Sequence, residues 1–253
     1  MGIRNAVLAA MGGMLLLIGA SAHAAYIGTD IGYSGRQVAA DFRTVSGTAS
    51  AFAGDDDWTS FVLPFAFNFY GRDYAAGSAA WISVNGLMGF EPDNAGDYCC
   101  NATMSFGAPT RTIQAGWFDL FGTVYTQTNG SAGNRELVVT WDGNEYDDSD
   151  ANGVGAANLF QAILHEGSND IEFQYATLNN LRHYASVGGI RGDDESMGLN
   201  FIDFSQNVSL NDVGLMLHFD PLAVDVPEPG SALLLALGMA GLAAARRTKR
   251  RAG

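Results

Sequence analysis

The sequence predicts an all-β protein. Its central part is predicted to form a single β-sandwich or jelly-roll-like domain, flanked by an N-terminal signal helix and a short C-terminal transmembrane helix. Apolar residues in the central part recur at every second position, turn-forming clusters separate these runs, and no stretch shows a helical apolar stripe. About ten short strands favour two packed sheets, with a closed barrel as the alternative.

The strand predictions rest on local patterns along the chain. Five apolar residues alternate in the run 61–69, which predicts one strand with a buried aromatic face. Asn85-Gly86 joins two short apolar runs, and this dipeptide is the strongest short-range signal of a β-hairpin. Turn-forming clusters at 129–134 and 166–170 predict two more hairpins. The other predicted strands are 137–141, 160–164, 171–175, 185–190 and 215–219.

Charge divides the chain into three parts. The central part, residues 25–226, carries 7 arginines, no lysine and 26 acidic residues, a net charge of −19. Residues 227–253 carry +4, residues 1–24 carry +1, and the whole chain has a formal charge of −14. A nucleic-acid-binding protein needs a basic face, so that function class is excluded. A hydrophobic fraction of 47% excludes a disordered acidic chain.

The first 24 residues have the three parts of a secretory signal peptide. Arg4 gives a positive start, residues 6–18 are apolar, and Ala22 and Ala24 fit the small-x-small cleavage rule. This pattern predicts removal of residues 1–24 by signal peptidase, after Ala24. An N-terminal membrane anchor is the alternative.

The C-terminal segment, residues 227–253, has a proline-rich start, an apolar middle and a basic end. Residues 232–245 are apolar and span about 21 Å as a helix, which is a short transmembrane length. Five basic residues follow within 246–251 and favour a cytoplasmic position for that end. The acidic central part is then predicted to lie outside the cytoplasm, in agreement with the signal peptide.

This tail resembles a PEP-CTERM sorting signal in the order of its parts. The matching residues are Pro227, Glu228 and Pro229, then the apolar helix, then Arg246 and Arg247. The resemblance implies sorting by an exosortase in a Gram-negative bacterium that makes extracellular polysaccharide. It further implies a transient inner-membrane anchor, cleavage near Pro227-Glu228-Pro229, and delivery to the cell surface or extracellular matrix. An ordinary single-span anchor is the alternative.

The central part resembles a nidogen-like (NIDO) domain over roughly residues 60–205. The resemblance is carried by an ordered set of short motifs at 63–71, 84–86, 115–120, 138–141, 160–164, 171–175 and 187–190. It implies an extracellular domain at residues 25–226 that is linked to cell–matrix adhesion and has no known catalysis. A long acidic insert between Trp141 and Phe160 departs from the family pattern.

The acidic insert contains a partial calcium-loop pattern. Asp148, Asp150 and Asn152 match the opening D-x-D-x-N-G, in which alternate oxygens converge on the ion. The twelfth position is Leu159, where an EF-hand needs a bidentate glutamate. A bound calcium ion is therefore one hypothesis, and a solvated hairpin loop is the favoured alternative. The acidic runs 55–57 and 193–195 are predicted to be solvated loops.

Cys99 and Cys100 are the two cysteines of the chain. In an oxidising compartment thiols usually pair, and a vicinal disulfide is the favoured interpretation. Adjacent Cα atoms lie about 3.8 Å apart, closer than in ordinary disulfides, so such a bond is strained. An intermolecular bridge and two free thiols are the alternatives.

The sequence shows no recognised catalytic motif. His165, His183 and His218 are the histidines of the central part, and none lies in a nucleophile or zinc motif. His218 falls on the polar side of an alternating strand and is predicted to be exposed. The chain is therefore predicted not to be an enzyme.

Three functional hypotheses follow from these patterns. The first is a non-catalytic surface or matrix protein for adhesion or biofilm structure, which interacts with extracellular polysaccharide or other surface proteins. The second is a calcium-assisted carbohydrate-binding module for that polysaccharide. A secreted hydrolase is the third and least favoured, because nothing marks out a pair of catalytic carboxylates.

Overall fold

The computed structural model describes residues 29–30, 32–96, 98, 109–146, 152–180, 187–193, 197–203 and 208–220. Within these ranges the protein is all-β, as predicted, with one short 3-10 turn at Pro92–Asn94. The described part of the chain contains no helix that is long and apolar enough to span a membrane. The predicted signal peptide and the predicted C-terminal helix lie outside the described residues.

The strands are numbered in chain order. They are β1 (Thr29–Asp30), β2 (Tyr33–Val38), β3 (Ser50–Asp55), β4 (Trp58–Val62), β5 (Phe67–Phe69), β6 (Arg72–Tyr74), β7 (Ala79–Ser83), β8 (Leu87–Gly89), β9 (Thr112–Trp117), β10 (Leu120–Asn129), β11 (Glu136–Tyr146), β12 (Val154–His165), β13 (Ile171–Asn180), β14 (Val187–Arg191), β15 (Gly198–Asp203) and β16 (Val208–Phe219).

The strands form two large antiparallel sheets and one small hairpin. The eight-stranded sheet has the order β1-β2-β16-β13-β12-β11-β10-β3. The six-stranded sheet has the order β15-β14-β9-β8-β7-β4, and β5 pairs with β6 separately. Hence β2 and β3, which follow one another in the chain, lie near opposite edges of the larger sheet.

The two sheets pack face to face around an aromatic core, which makes the fold a β-sandwich. Side chains of Trp141 and Tyr175 each make a hydrogen bond that crosses between the sheets. The Trp141 indole of β11 donates to the Ser83 carbonyl of β7 at 2.9 Å, and the Tyr175 hydroxyl of β13 donates to the Ala115 carbonyl of β9 at 2.7 Å. Phe160 stacks on Trp141 with a ring-centroid distance of 5.3 Å. The buried indole N–H of Trp141 and the buried hydroxyl of Tyr175 thus find their partners across the sheet interface.

The alternating apolar face of the run 61–69 packs into the core as predicted, but the prediction of one continuous strand was wrong. β4 ends at Val62 in the six-stranded sheet, and β5 begins at Phe67 in the separate hairpin. Pro64 lies between them, and a proline cannot donate a backbone hydrogen bond to a strand ladder. Alternate residues across the break still face the core, since Leu63 and Phe65 are almost fully buried.

The predicted hairpins at Asn85-Gly86, 129–134 and 166–170 are present and join β7 to β8, β10 to β11 and β12 to β13. Gly86 has φ +82°, and a Cβ atom there would lie 1.9 Å from the Gly116 carbonyl oxygen. Only glycine fits this turn, because the neighbouring backbone leaves no room for a side chain.

The acidic insert is an extension of the β11–β12 hairpin. β11 continues to Tyr146 and β12 begins at Val154, and the two remain paired between Asp142 and Leu159 and between Tyr146 and Val154. The register shifts between Asn144 and Tyr146, as at a β-bulge. Most of the insert is thus strand, which the sequence patterns did not indicate.

Candidate functional sites

A connecting segment crosses the outer face of the eight-stranded sheet. This segment, residues 39–49, is called the strap here, and it joins β2 to β3 without regular secondary structure. At about 4.8 Å per strand, the chain must cover roughly 29 Å between these strands. Its maximum reach is about 40 Å, so most of the strap has to be extended. It crosses β16, β13, β12, β11 and β10.

Three glutamine side chains from the sheet hold the strap backbone. Gln174 of β13, Gln161 of β12 and Gln127 of β10 each accept from one strap N–H and donate to one strap carbonyl. The bonded pairs are Gln174 with the Asp41 N–H and the Ala39 carbonyl, Gln161 with the N–H and carbonyl of Arg43, and Gln127 with the Ser46 N–H and the Thr44 carbonyl. A glutamine side chain has a carbonyl oxygen that accepts and an NH₂ group that donates, so it can pair with a backbone as a peptide group does. These side chains therefore replace the neighbouring strand that an extended segment normally needs.

Arg43, in the middle of the strap, binds two carboxylates of the sheet. Its guanidinium donates Nε and Nη2 to Glu136 at 3.2 and 2.8 Å, and Nη1 and Nη2 to Glu172, both at 3.0 Å. Both pairs are bidentate, the geometry in which an arginine–carboxylate contact is strongest. The Arg43 side chain is 15% exposed and that of Glu172 is 5% exposed. This cluster of Arg43, Glu136, His165 and Glu172 is called the Arg43 cluster.

Electrostatics favour the charged forms of Arg43 and Glu172. Burial alone raises the pKa of Glu172, but hydrogen bonds from His165 and Gln174 and the charge of Arg43 hold that pKa below its usual value. The hydrogen bond to Glu136 raises the pKa of Arg43. His165 Nε2 lies 2.9 Å from Glu172 Oε2. The buried carboxylate is thus stabilised as an anion by three neighbouring side chains.

The Arg43 cluster includes a possible set of metal ligands. One ligand atom each from Glu136, His165 and Glu172 lies within 4.8 Å of the others. The guanidinium of Arg43 already occupies the position between the two carboxylates, where a cation would have to bind. A metal ion there would displace four hydrogen bonds and face a neighbouring positive charge. The geometry therefore favours a structural clamp over a metal centre.

A pocket of about 570 Å³ lies beside this cluster, between the β10–β11 and β12–β13 turns. Glu136 and His165 line it together with Arg135 and Glu166. Glu166 accepts from Arg135 Nε and Nη2 at 2.9 and 2.6 Å and from the Gly133 N–H at 2.8 Å, which lowers its pKa to about 2. Glu166 thereby ties the two turns together, and its charge is satisfied by the fold.

A second cluster of carboxylates lies at the corner between β3 and β4. Oxygens of Asp55, Asp56 and Asp119 lie within 4.8 Å of one another. Asp55 is exposed, but partial desolvation and the charge of Asp56 raise its pKa. The buried side chain of Asn85 holds this corner, since its Nδ2 donates to Asp56 and its Oδ1 accepts from the Leu120 N–H, both at 2.8 Å. The sequence predicted Asp55 and Asp56 as a solvated run, and the fold adds Asp119 to them.

The structure describes few of the site residues predicted from sequence. Asn152 is exposed at the end of the acidic hairpin. The remaining predicted site residues lie outside the described ranges, so their proposed roles stay predictions: Ala22, Ala24, Cys99, Cys100, Asp148, Asp150, His183, Pro227, Glu228, Pro229, Arg246 and Arg247. His218 is exposed, as predicted, and its Nδ1 lies 2.8 Å from Asp170.

Sequence patterns missed the Arg43 cluster. Arg43 lies 93 residues from Glu136 and 129 residues from Glu172 along the chain. The one available signal was the pair Gln161 and Gln174, which are polar residues within strands. Alternation alone predicts that polar strand residues face solvent, whereas both of these side chains are buried under the strap.

Two family models match the chain, and the first covers the sandwich. The model described as NIDO related matches residues 32–215, which is more than half of the sequence. The chain belongs to the NIDO-related family. The match is longer than the resemblance at residues 60–205 and includes the strap, so the strap belongs to the NIDO-related domain.

The second model, described as a PEP-CTERM protein-sorting motif, matches residues 225–251 of this NIDO-related protein. It confirms the identification of the tail and indicates an exported exosortase substrate that passes through a transient membrane-anchored stage. Comparisons with curated proteins and with solved structures give no match.

Proposed function

We propose that this protein is a non-catalytic component of the cell surface or extracellular matrix that serves adhesion or biofilm structure. The observation that carries the proposal is the order of two matched segments. A NIDO-related domain at residues 32–215 is followed closely by a sorting motif at residues 225–251. Such an arrangement delivers one folded domain to the outside.

The polar cluster on the eight-stranded sheet supports a non-catalytic role. A catalytic acid or base has to reach a substrate, and its proton has to be exchangeable with the reacting group. In the Arg43 cluster, Glu136 and Glu172 share one guanidinium, and His165 is bonded to Glu172. The strap covers Glu172, so the proposed role of this carboxylate is to hold the fold.

The charge of the domain constrains its partners. The central part carries −19 and no lysine, so it repels polyanionic polymers at distances up to about a Debye length. Attachment to an anionic polysaccharide therefore needs divalent cations, whereas attachment to a surface protein needs a basic or neutral contact area. The domain is suited to recognise partners through small, locally uncharged or complementary regions.

The test of this function combines whole-protein mass spectrometry of the surface fraction with an attachment assay. We expect a mass that lacks residues 1–24 and the tail beyond the Pro227-Glu228-Pro229 region, and reduced attachment in a strain that lacks the gene. Return of the wild-type chain restores attachment. A cytoplasmic protein with both ends intact contradicts the proposal, and so does unchanged attachment in the deletion strain.

A matched control separates delivery from the action of the domain. A chain with Pro227→Ala, Glu228→Ala and Pro229→Ala keeps the described sandwich unchanged but alters the sorting motif. We expect it to remain in the membrane fraction at its uncleaved mass and to restore less attachment than the wild-type chain. Full restoration by this variant contradicts a role that depends on sorting.

A further inference from the structure

The β4 strand has a free backbone edge. It is the last strand of the six-stranded sheet and pairs only with β7 among the described strands. The Asp57 carbonyl accepts from the Val84 N–H at 3.0 Å, and the Leu63 N–H donates to the Ser78 carbonyl at 2.9 Å. Backbone groups of alternate residues point to the same side of a strand. Those of Trp58, Ser60 and Val62 therefore point away from the sheet.

The side chains along this edge are also exposed. Trp58 is 45% exposed and Val62 is 64% exposed, and β4 contains no charged residue. Proteins usually protect sheet edges with charges, prolines, bulges or very short strands. The other strands at the ends of the two large sheets follow this rule in part, since β1 has two residues, β3 ends in Asp55 and β15 ends in Asp203.

An acidic corner adjoins the start of β4. Asp55, Asp56 and Asp57 are exposed there, and Asp119 lies next to them. A segment that pairs antiparallel with β4 has its C-terminal end at this corner. Basic residues at that end of the segment would meet three or four carboxylates, whereas the middle of the segment would meet an uncharged strand.

We propose that β4 binds an extended segment of a partner protein by antiparallel strand addition. Alternate apolar residues of the segment lie against Trp58 and Val62, and lysine or arginine residues at its C-terminal end lie against Asp55, Asp56 and Asp57. The proposal deepens the proposed function and rests on it for the biological setting, since it names the class of partner that such a surface protein takes.

A second copy of the chain fits this edge less well. Two paired strands of five residues bury less than the roughly 1,000 Å² that a stable dimer needs. Both copies also carry −19, so their long-range interaction is repulsive. A basic segment gains attraction from the same charges and suits a weak, reversible contact.

The substitution Ser60→Pro tests the edge directly. Proline removes the Ser60 N–H, which points away from β7, and so blocks strand addition without removing a bond of the existing sheet. Ser60→Thr is the matched control because it keeps the N–H and is a good strand former. Both variants are prepared as full chains, and their folding is compared by thermal unfolding.

Trp58 provides the readout, because Trp81, Trp117 and Trp141 are buried. The probe is a synthetic peptide, Thr-Val-Thr-Val-Thr-Val-Arg-Lys-Arg, and binding is followed by protection of tryptophan fluorescence from acrylamide. We expect protection in the wild type and in Ser60→Thr, and at least tenfold weaker binding in Ser60→Pro. A peptide with the basic residues at its N-terminal end should bind more weakly than the first peptide. Adding 0.5 M salt should weaken the binding of the first peptide.

Three results overturn the proposal. The first is that neither peptide protects the tryptophan fluorescence of the wild type. The second is that a folded Ser60→Pro variant binds the peptide as tightly as the wild type does. The third is that the wild type forms concentration-dependent dimers without peptide and that Ser60→Pro abolishes them. The last result identifies a second copy as the occupant. The variant Trp58→Phe is the control for the readout, because it should show no peptide-dependent protection of tryptophan fluorescence. These measurements use purified protein, so their failure is distinct from a failure of export or attachment.

Discussion

The outer face of the eight-stranded sheet is covered by another segment of the chain, whereas the β4 edge of the six-stranded sheet is left exposed. The outer face is covered by the strap, whose backbone bonds to Gln127, Gln161 and Gln174 and whose Arg43 forms ion pairs with two carboxylates. The β4 edge keeps its outward backbone groups and apolar side chains exposed. Polar residues thus mark the closed surface and uncharged residues the open one. Residue polarity alone is therefore a poor guide to where this protein makes contacts.

The largest expected effect comes from removing the cation of the closed surface. Arg43→Met leaves the buried carboxylate of Glu172 without its charge partner, and such a loss typically costs about 3–5 kcal/mol. Urea unfolding measures the change in the free energy of unfolding. Arg36→Met, at an exposed arginine of β2, is the control and should change it by less than about 0.5 kcal/mol.

A double variant distinguishes charge from packing at the same place. Arg43→Met with Glu172→Gln should recover part of the lost stability, because the uncompensated charge is gone. If the double variant is less stable than Arg43→Met alone, the interaction between these two residues is not primarily electrostatic.

The next effect concerns the glutamines that hold the strap. Gln161→Leu leaves the N–H and carbonyl of Arg43 without their partner, which costs about 1–3 kcal/mol for buried groups. Hydrogen exchange should show faster exchange of the Arg43 amide, with smaller changes in β4. Gln37→Leu, at an exposed residue of β2, serves as the control. Unchanged exchange at Arg43 would show that the strap is held by other contacts.

The same substitution in both regions compares them most directly. Val138 lies under the strap at 0% exposure, and Val62 lies on the β4 edge at 64%. Val138→Thr buries a hydroxyl group and should cost about 1–3 kcal/mol. Val62→Thr should change the free energy of unfolding by less than about 0.5 kcal/mol. Equal costs in urea unfolding would remove the distinction between a closed and an open surface.

The smallest expected effect is a pH dependence at the turns beside the closed surface. The pKa of Glu166 is about 2 in the folded protein, against 4.5 as the ordinary value. Between these values the unfolded chain binds more protons, so stability is present above pH 4.5 and is lost as the pH falls towards 2. Glu166→Gln should flatten this part of the stability profile. An NMR titration that places the Glu166 pKa near 4.5 contradicts the prediction.

Sequence patterns predicted the hairpin strands of the sandwich but not β2, β3, β9 or β15, and they indicated few of its tertiary contacts. The alternation in 61–69 correctly placed Leu63 and Phe65 in the core, because the period of two is a property of the extended backbone. It failed at Pro64, where the chain leaves one sheet and the run no longer forms one strand. The acidic insert was assigned to a loop because its polar residues hide the pairing that extends β11 and β12.

The sequence by itself determined the fold class, the hairpin turns and the sorting tail. These depend on residues that are close together in the chain, such as Asn85-Gly86 or Pro227-Glu228-Pro229. Only the tertiary structure decided that Arg43 meets Glu136 and Glu172, and that Trp58 and Val62 lie on a free edge. Strand order brings together residues about 100 positions apart and leaves one strand at the end of a sheet. No local pattern records that order, because it results from how the whole core packs.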